Sequence, residues 1–362
     1  MKDMHSELFE FYDQYARLTR QQRNDLALYR DRNIDRLYAG LDSLGYPRPV
    51  RTTTQGSIAM KTANQHPEKD YDIDEAIIFD KNDLPASPLD ARKHVCRAMV
   101  EGGGNFKVPP EARTNAVTVW YQEGHHVDLA VHRRSFDQWG NEVIEHAGAS
   151  WTERDPAKIT NWFHEQVDER SPLSERGAVV EPRQMRRMVQ LLKKFAKAHD
   201  ECTLPGGLFI SVLVAERYVS DFYRDDCALY QTMCGIQARL TSSLEIYNPV
   251  DNRYLLTYKD EYTRQVERLR EKLGLAIELL KSVQSTSCTR AEALAAWASV
   301  FRHPYWDALY EDEIAAAKAQ GEALRFATQV GSLYTTAAGT IKFTKPSEAA
   351  VPVRPHRFYG ES

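Results

Sequence analysis

Cysteine is sparse and unpatterned in this chain. Its five residues (Cys96, Cys202, Cys227, Cys234 and Cys288) are odd in number and contain no C-x-x-C pair. That argues against a disulfide framework or a cysteine-built zinc site, and suits thiols kept reduced. Long apolar runs are missing too: there is no stretch of 18 apolar residues, and the N-terminus has no hydrophobic signal core. The expectation is a soluble, cytoplasmic protein with no membrane contact. A strong charge imbalance is also lacking. A net charge of −4 speaks against a chain that coats nucleic acid, while leaving room for a local basic groove. What remains is ordinary for a globular protein, 42% hydrophobic and 27% charged, and 362 residues suffice for two domains with proper cores.

The informative stretch runs from Gln55 to Phe79. Gln55-Gly56-Ser57 forms a turn signal, and Asp72-Ile73-Asp74 opens an apolar run ending Ala76-Ile77-Ile78-Phe79. Residues i and i+2 of a strand share a face, so Asp72 and Asp74 are expected side by side. Adjacent carboxylates repel unless something positive lies between them. A hard divalent cation does that, and Mg²⁺ characteristically takes one or two carboxylates together with substrate phosphates. The Gly-Ser turn can offer backbone N–H groups and a hydroxyl to those phosphates. The stretch therefore reads as a grip on a metal-bound nucleoside triphosphate.

Around it, residues 4 to 43 carry an apolar stripe at helical spacing (Leu8, Tyr15, Leu18, Leu26, Leu37, Leu41) and are expected to form one long helix stopped by Gly45 and Pro47. Mixed charge on its polar face favours core packing over membrane anchoring. A helix from about Leu89 to Met99 ends at Gly102-Gly103-Gly104, which lacks the Lys-Ser/Thr of a P-loop and serves better as a helix stop. Residues 115 to 120 and 125 to 131 read as a β-hairpin. Asp128 interrupts the second strand, and an acid among apolar neighbours is costly unless paired or metal-bound. If this hairpin lies beside the Asp72/Asp74 strand, Asp128 completes a three-carboxylate cluster. His125 and His126 face opposite ways on a strand, and they are expected to be surface or edge residues rather than zinc ligands. From about residue 152 helices dominate. One runs from Arg183 to His199 with Arg186, Lys193 and Lys197 beside an apolar stripe, a row that is either a solvated face or a phosphate grip. Another follows Leu204-Pro205-Gly206-Gly207, and further helices are expected at about 259–284, 289–301 and 307–328.

A Gly-Ser turn, an Asp-x-Asp opening a strand and an isolated Asp in a later strand resemble the DNA polymerase β-type nucleotidyltransferase superfamily. Each piece alone is common by chance; the three in this order, on these elements, are specific. Gln55-Gly56-Ser57-Ile58-Ala59-Met60-Lys61-Thr62 followed by Asp70-Tyr71-Asp72-Ile73-Asp74 looks, more narrowly, like the bacterial cGAS/DncV-like nucleotidyltransferases of anti-phage (CBASS) signalling. Val127-Asp128-Leu129-Ala130, Glu145-His146-Ala147-Gly148, Leu191-Leu192-Lys193-Lys194-Phe195 and Leu204-Pro205-Gly206-Gly207 agree, so the likeness reaches to about residue 310.

The resemblance implies an α+β fold: a polymerase β-like nucleotidyltransferase lobe with a mixed sheet, an α-helical lobe, and the active site in the cleft between them. The expected domains are residues 1–175 (catalytic lobe with a bracing N-terminal helix), 176–336 (helical lobe) and 337–362 (flexible tail). It implies an enzyme joining nucleoside triphosphates, ATP among them, without a template into a cyclic di- or trinucleotide second messenger that acts on a downstream effector. Carried residue by residue, Asp72, Asp74 and Asp128 match the catalytic metal triad for two Mg²⁺ ions, with Mn²⁺ as a substitute. Gly56 and Ser57 match the phosphate turn, flanked by Gln55 and Met60, and Lys193 matches a lysine reaching the triphosphate. Members often place a serine near Gly207, so here a hydroxyl contact to phosphate is expected either to be missing or to be replaced by backbone N–H. Asp251 is the candidate for a base contact, or else stabilises its own turn. The tail is the candidate dock for a regulatory protein. Competing readings are a linear oligonucleotide or tRNA-tailing enzyme, and a non-enzymatic metal- or nucleotide-binding protein.

Overall fold

The computed structural model describes residues 1–68, 71–122, 124–174 and 182–329, together with three two-residue strands at 334–335, 341–342 and 351–352. Packing divides the chain into two compact units, Asp3–Glu278 and Leu279–Ser362 with Met1–Lys2. The expected tail from 337 falls outside the described residues except for Ile341–Lys342 and Val351–Pro352, each paired with Tyr334–Thr335. Among the described residues no helix is long and apolar enough to cross a membrane.

The larger unit is α+β. Its sheet is mixed, with strands β1 (Arg51–Thr54), β2 (Asp72–Asp80), β3 (Phe106–Ala112), β4 (Val117–Tyr121) and β5 (His126–Phe136) in the order β1-β2-β5-β4-β3. β2 and β5 run parallel, and the other neighbours are antiparallel. β5 is long because it serves two partnerships: its first half pairs with β4, and His132–Phe136 pair with β6 (Glu142–Ala147), which in turn pairs with β7 (Trp151–Glu153). Strand periodicity then sorts the side chains. Ile73, Ile77 and Phe79 of β2 and Val127, Leu129 and Val131 of β5 are fully buried in the core with Val95, Ala98 and Met99 of helix α4 (Pro88–Glu101). Asp72, Asp74, His126 and Asp128 belong to the opposite face.

The expected single N-terminal helix is two helices. α1 (His5–Phe11) continues as a π-helical turn to Ala16, the chain straightens at Arg17, and α2 (Arg20–Ser43) begins afresh. The cause is a capping box missed in the sequence. Thr19 Oγ1 accepts from Gln22 N at 3.1 Å while Gln22 Oε1 accepts from Thr19 N at 2.8 Å, satisfying two donors a continuous helix would have used otherwise. The break separates two duties. α2 packs against α4, whereas the α1 segment meets the helical part: Tyr12 Oη donates to Gln190 Oε1 at 2.8 Å, and Met4 N to Asp226 Oδ2 at 3.0 Å.

That helical part comprises α5 (Pro156–Arg170), α6 (Gln184–Lys197), α7 (Gly207–Arg217) and α8 (Asp225–Ser242), then a hairpin of β8 (Tyr247–Asn248) and β9 (Asp251–Leu255), then α9 (Asp260–Lys281). α8 had no counterpart in the sequence reading. α4 and α5 each start with an N-cap acceptor followed by proline, Ser87-Pro88 and Asp155-Pro156. In the second unit, α10 (Arg290–Phe301) and α11 (Pro304–Gln329) enclose a stack of Trp297, Phe301 and Trp306, with ring centroids 5.8–6.0 Å apart.

α2 and α4 cross with backbones in contact. A Cβ on Gly40 would lie 1.8 Å from Ala98 O, and one on Gly102 would lie 2.1 Å from Arg36 O. Gly102 is thus a contact surface as well as a helix stop. Gly40→Ala is expected to destabilise the larger unit by about 3 kcal/mol, the upper end of overpacking costs, because backbone rather than a side chain must move. Thermal melting of the variant beside an exposed control such as Gly206→Ala, which meets nothing within 4 Å and has a negative φ of −68°, checks it; equal melting would show that the helices part easily.

Candidate active site

The parallel pairing of β2 with β5 sets the centre of the site. Its register puts Asp72 opposite His126 and Asp74 opposite Asp128. Both strands begin at the same end of the sheet, so residues more than fifty positions apart meet on one face. His126 Nε2 lies 3.3 Å from Asp72 Oδ1. One ligand atom from each of Asp72, His126 and Asp128 falls within 4.8 Å of the others. Asp72 is the open edge of the group, its side chain 53% exposed.

Electrostatics mark the cluster as unsatisfied. Burial pushes the Asp74 carboxyl up to about 7, and repulsion from Asp72 and then Asp128 adds to it, against partial relief from His126 and Arg154. Burial also raises Asp128, opposed by a hydrogen bond from Thr118. Asp128 Oδ1 is buried with no hydrogen-bond partner among the described residues. Buried lone pairs without donors are rare and costly. An orphaned oxygen beside a carboxylate driven toward its neutral form suits a divalent cation held in part by carboxylates. The residues fit a divalent metal.

Beside the acids stands the Gly-Ser turn. Gln55 N donates to Asp74 O at 2.9 Å, tying the turn to β2, and Gly56 opens the four-residue helix α3 (Gly56–Ala59). Gly56 has φ 65°, and a Cβ there would sit 2.0 Å from Asp74 Oδ2. Only glycine allows the turn to lie against that carboxylate. Ser57 O accepts from Thr62 N and Ala63 N at 2.8 and 3.1 Å, closing the loop on itself.

The facing wall comes from α6. Lys193 Nζ donates to Thr62 O at 2.7 Å, and Lys194 Nζ to Gln65 O at 3.0 Å. Burial brings Lys193 down to about 8, with Lys197 lowering it further, while Asp72 and Asp74 pull it back. Gly207, at the start of α7, packs against this lysine, since a Cβ there would lie 3.3 Å from Lys193 Cε and 3.4 Å from Nζ. A serine side chain at 207 would crowd Lys193. Gln55, Gly56, Ser57, Met60, Asp72, Asp74, Lys193 and Gly207 all line one cleft of about 1040 Å³ between sheet and helices. Asp251 is elsewhere: it heads β9, pairs with Arg253 at 2.7 Å, and does not line the cleft.

Several placements differ from the sequence reading. His125 is buried rather than at a surface or edge, with its ring stacked between Tyr29 and Tyr121 at 3.9 and 4.6 Å. His126 joins the carboxylates. Arg186 faces neither solvent nor the cleft; it is buried, donating to Met60 O at 3.2 Å and lying 3.2 Å from His164 Nδ1. Its effect is to seat the loop that carries Ser57. Arg154, which no motif flagged, reaches the cleft just after β7, where enclosure lowers its guanidinium and Asp74 raises it.

Residues 50–132 match a family model described as the cyclic GMP-AMP synthase DncV-like nucleotidyltransferase domain. Three solved structures share the fold. The Escherichia coli MS115-1 CdnC, solved in complex with HORMA-deltaN, superposes with a TM-score of 0.62 at 17% identity, covering 82% of this chain and 96% of that one. Bradyrhizobium diazoefficiens CD-NTase CdnG, solved with GTP, gives 0.61 at 14% identity over 84% and 97%. Vibrio cholerae DncV cyclic AMP-GMP synthase, solved with the linear intermediate pppA(3′,5′)pG, gives 0.61 at 15% over 83% and 96%. The chain is therefore an enzyme of the nucleotidyltransferase class, its residues 50–132 similar to a DncV-like nucleotidyltransferase domain and its fold shared with the bacterial CdnC, CdnG and DncV.

Proposed function

We propose that the protein joins nucleoside triphosphates, without a template, into a cyclic di- or trinucleotide and releases pyrophosphate. The observation that carries this is one cleft with an acidic wall (Asp72, Asp74) and a basic wall (Lys193, Lys194, Lys197), with Asp128 beside Asp74. A volume of about 1040 Å³ stands at the top of the ~300–1,000 Å³ range for drug-sized ligands, room for more than one nucleotide. The linear intermediate in DncV supports a two-round reaction in a cleft of this fold.

Divalent cations, Mg²⁺ or Mn²⁺, held by Asp72, Asp74 and Asp128 would neutralise phosphate charge and acidify the acceptor sugar hydroxyl. Asp128, its basicity raised by burial, accepts that hydroxyl's proton. The hydroxyl oxygen bonds to the α-phosphorus as the bond from that phosphorus to the bridging oxygen breaks, and the electron pair leaves on pyrophosphate. Ser57 and Lys193 hold the departing phosphates from opposite walls. Swapping its partner from Thr62 O to a phosphate oxygen gives Lys193 a charged acceptor in place of a neutral one, a stronger bond. A second attack closes the ring. We place the product in anti-phage signalling, and assign regulation to a partner protein, as the CdnC–HORMA complex suggests.

Mass spectrometry of the product formed from mixed triphosphates with Mg²⁺ is the deciding experiment. A phosphatase-resistant cyclic product is expected; a ladder of linear chains, or a need for tRNA, would replace this reading. Asp74→Asn is expected to cut turnover by about 10³-fold, the scale of losing a centre of charge stabilisation. The same change should raise the metal-free melting temperature at pH 8 by about 2–4 °C, equivalent to about 1 kcal/mol. The sign follows from the raised pKa. The folded protein binds a proton here between the unfolded value and about 7, so ionisation at higher pH works against folding. The gain should vanish as pH falls through 7 toward 4, and an unchanged or lower melting temperature at pH 8 would contradict the buried repulsion. Lys193→Met is expected to raise the KM for triphosphate about tenfold, the worth of one charged hydrogen bond. An unchanged KM would remove Lys193 from the binding wall.

A further inference from the structure

The acid cluster contains a nitrogen. Resting on the reading above, we propose that His126 is a direct ligand of a divalent ion at this site, and that the site consequently prefers Mn²⁺ to Mg²⁺. Three independent features point the same way. His126 and Asp128 are two residues apart on β5, so period two puts imidazole and carboxylate on one face. The parallel register sets His126 opposite Asp72, with Nε2 turned to that carboxylate at 3.3 Å. Asp72, His126 and Asp128 are also the three residues whose donor atoms gather within 4.8 Å, while Asp74 directs Oδ2 toward the Gly56 turn.

A histidine that only balanced charge would need one carboxylate partner. This one stands between two, and the second, Asp128, has a buried oxygen without a hydrogen-bond partner among the described residues. An ion shared by Asp72, His126 and Asp128 satisfies that oxygen and both neighbours together. The donor set then fixes the preference. Mg²⁺ takes oxygen ligands in near-ideal octahedral geometry. Imidazole nitrogen favours first-row transition ions over Mg²⁺, and among those ions Mn²⁺ is the one that also suits carboxylate oxygen.

Mn²⁺ itself is the probe, because its unpaired electrons report bound nitrogen directly. The full-length protein without nucleotide is titrated with Mn²⁺ at one pH above the histidine range. Electron paramagnetic resonance measures binding, electron spin echo modulation measures nitrogen coupling, and Mg²⁺ competition gives the preference. Imidazole coupling is expected in the wild type. In His126→Gln it should disappear, with Mn²⁺ affinity falling at least about tenfold, as when a ligand environment is altered, and Mg²⁺ affinity falling less. The wild-type spectrum needs no variant to fold. Mn²⁺ bound with oxygen-only spectra, and lost in Asp128→Asn, would overturn the His126 assignment and leave the carboxylate site standing. Mn²⁺ binding indifferent to both Asp72→Asn and Asp128→Asn would overturn the assignment and the site reading together.

Discussion

Repulsion between carboxylates held in register is the constraint on which this structure turns. Nothing in a sheet requires two parallel strands to bring acids opposite each other, and burial makes the arrangement worse. Here Asp74 faces Asp128 across β2 and β5, and Asp72 flanks both. The fold tolerates this because the reverse face of the same two strands buries Ile73, Ile77, Phe79, Val127, Leu129 and Val131 completely. At about 1.5–3 kcal/mol for each fully buried aliphatic or aromatic side chain, six such residues outweigh a clustered charge by a wide margin. The register cannot slip to relieve the acids, since a shift of one residue would turn the apolar set to solvent.

The surroundings hold the strained centre rather than soften it. Gln55 N bonds to Asp74 O, Gly56 lets the turn touch the Asp74 carboxylate, and Arg186 grips the loop at Met60. From the other side Lys193 and Lys194 bond to Thr62 O and Gln65 O. Every one of these contacts converges on residues 55–65. The loop is therefore placed from the sheet and from α6 at once, and its position is fixed before a substrate arrives. A site positioned in advance loses less conformational entropy on binding.

Much of this was legible from residues alone. The Asp-x-Asp at a strand start, the acid inside an apolar strand and the Gly-Ser turn each name a chemistry and an element, while the mixed sheet, the helical lobe and the phosphate role of the lysine row came from the family resemblance. What stayed hidden depended on pairings between distant segments. His126 looks like an edge histidine until parallel pairing places it opposite Asp72. Arg186 and Lys193 belong to one charged helix, yet one is buried behind the loop and the other faces the cleft; only packing against residues 57–65 separates them. Arg154 has no motif because its role depends on where β7 ends. The split of the N-terminal helix was different in kind: Thr19 and Gln22 spell a capping box in the sequence itself, and the continuous apolar stripe concealed it. Asp251 was offered either as a base contact or as a residue stabilising its own turn, and its Oδ1 accepts from Arg253 N at 3.2 Å, which suits the second.

The same carboxylate cluster links stability to ligand binding. Burial and carboxylate repulsion raise Asp74 to about 7, and Asp128 Oδ1 has no hydrogen-bond partner among the described residues, so repulsion and unmet hydrogen-bonding capacity meet at one point. Whatever supplies positive charge there is bound with the relief of that strain added to its own attraction, and it stabilises the folded chain by an amount that grows with its affinity and its concentration. Lys193 is the mirror case, a cation driven toward neutrality by burial and by Lys197 and waiting on a backbone carbonyl. On the proposed function, a metal-bound triphosphate would bring positive charge to the acids and negative charge to the lysines, answering both walls at once. Either half alone would answer one, so the proposal couples cation binding to nucleotide binding through the groups that line the cleft.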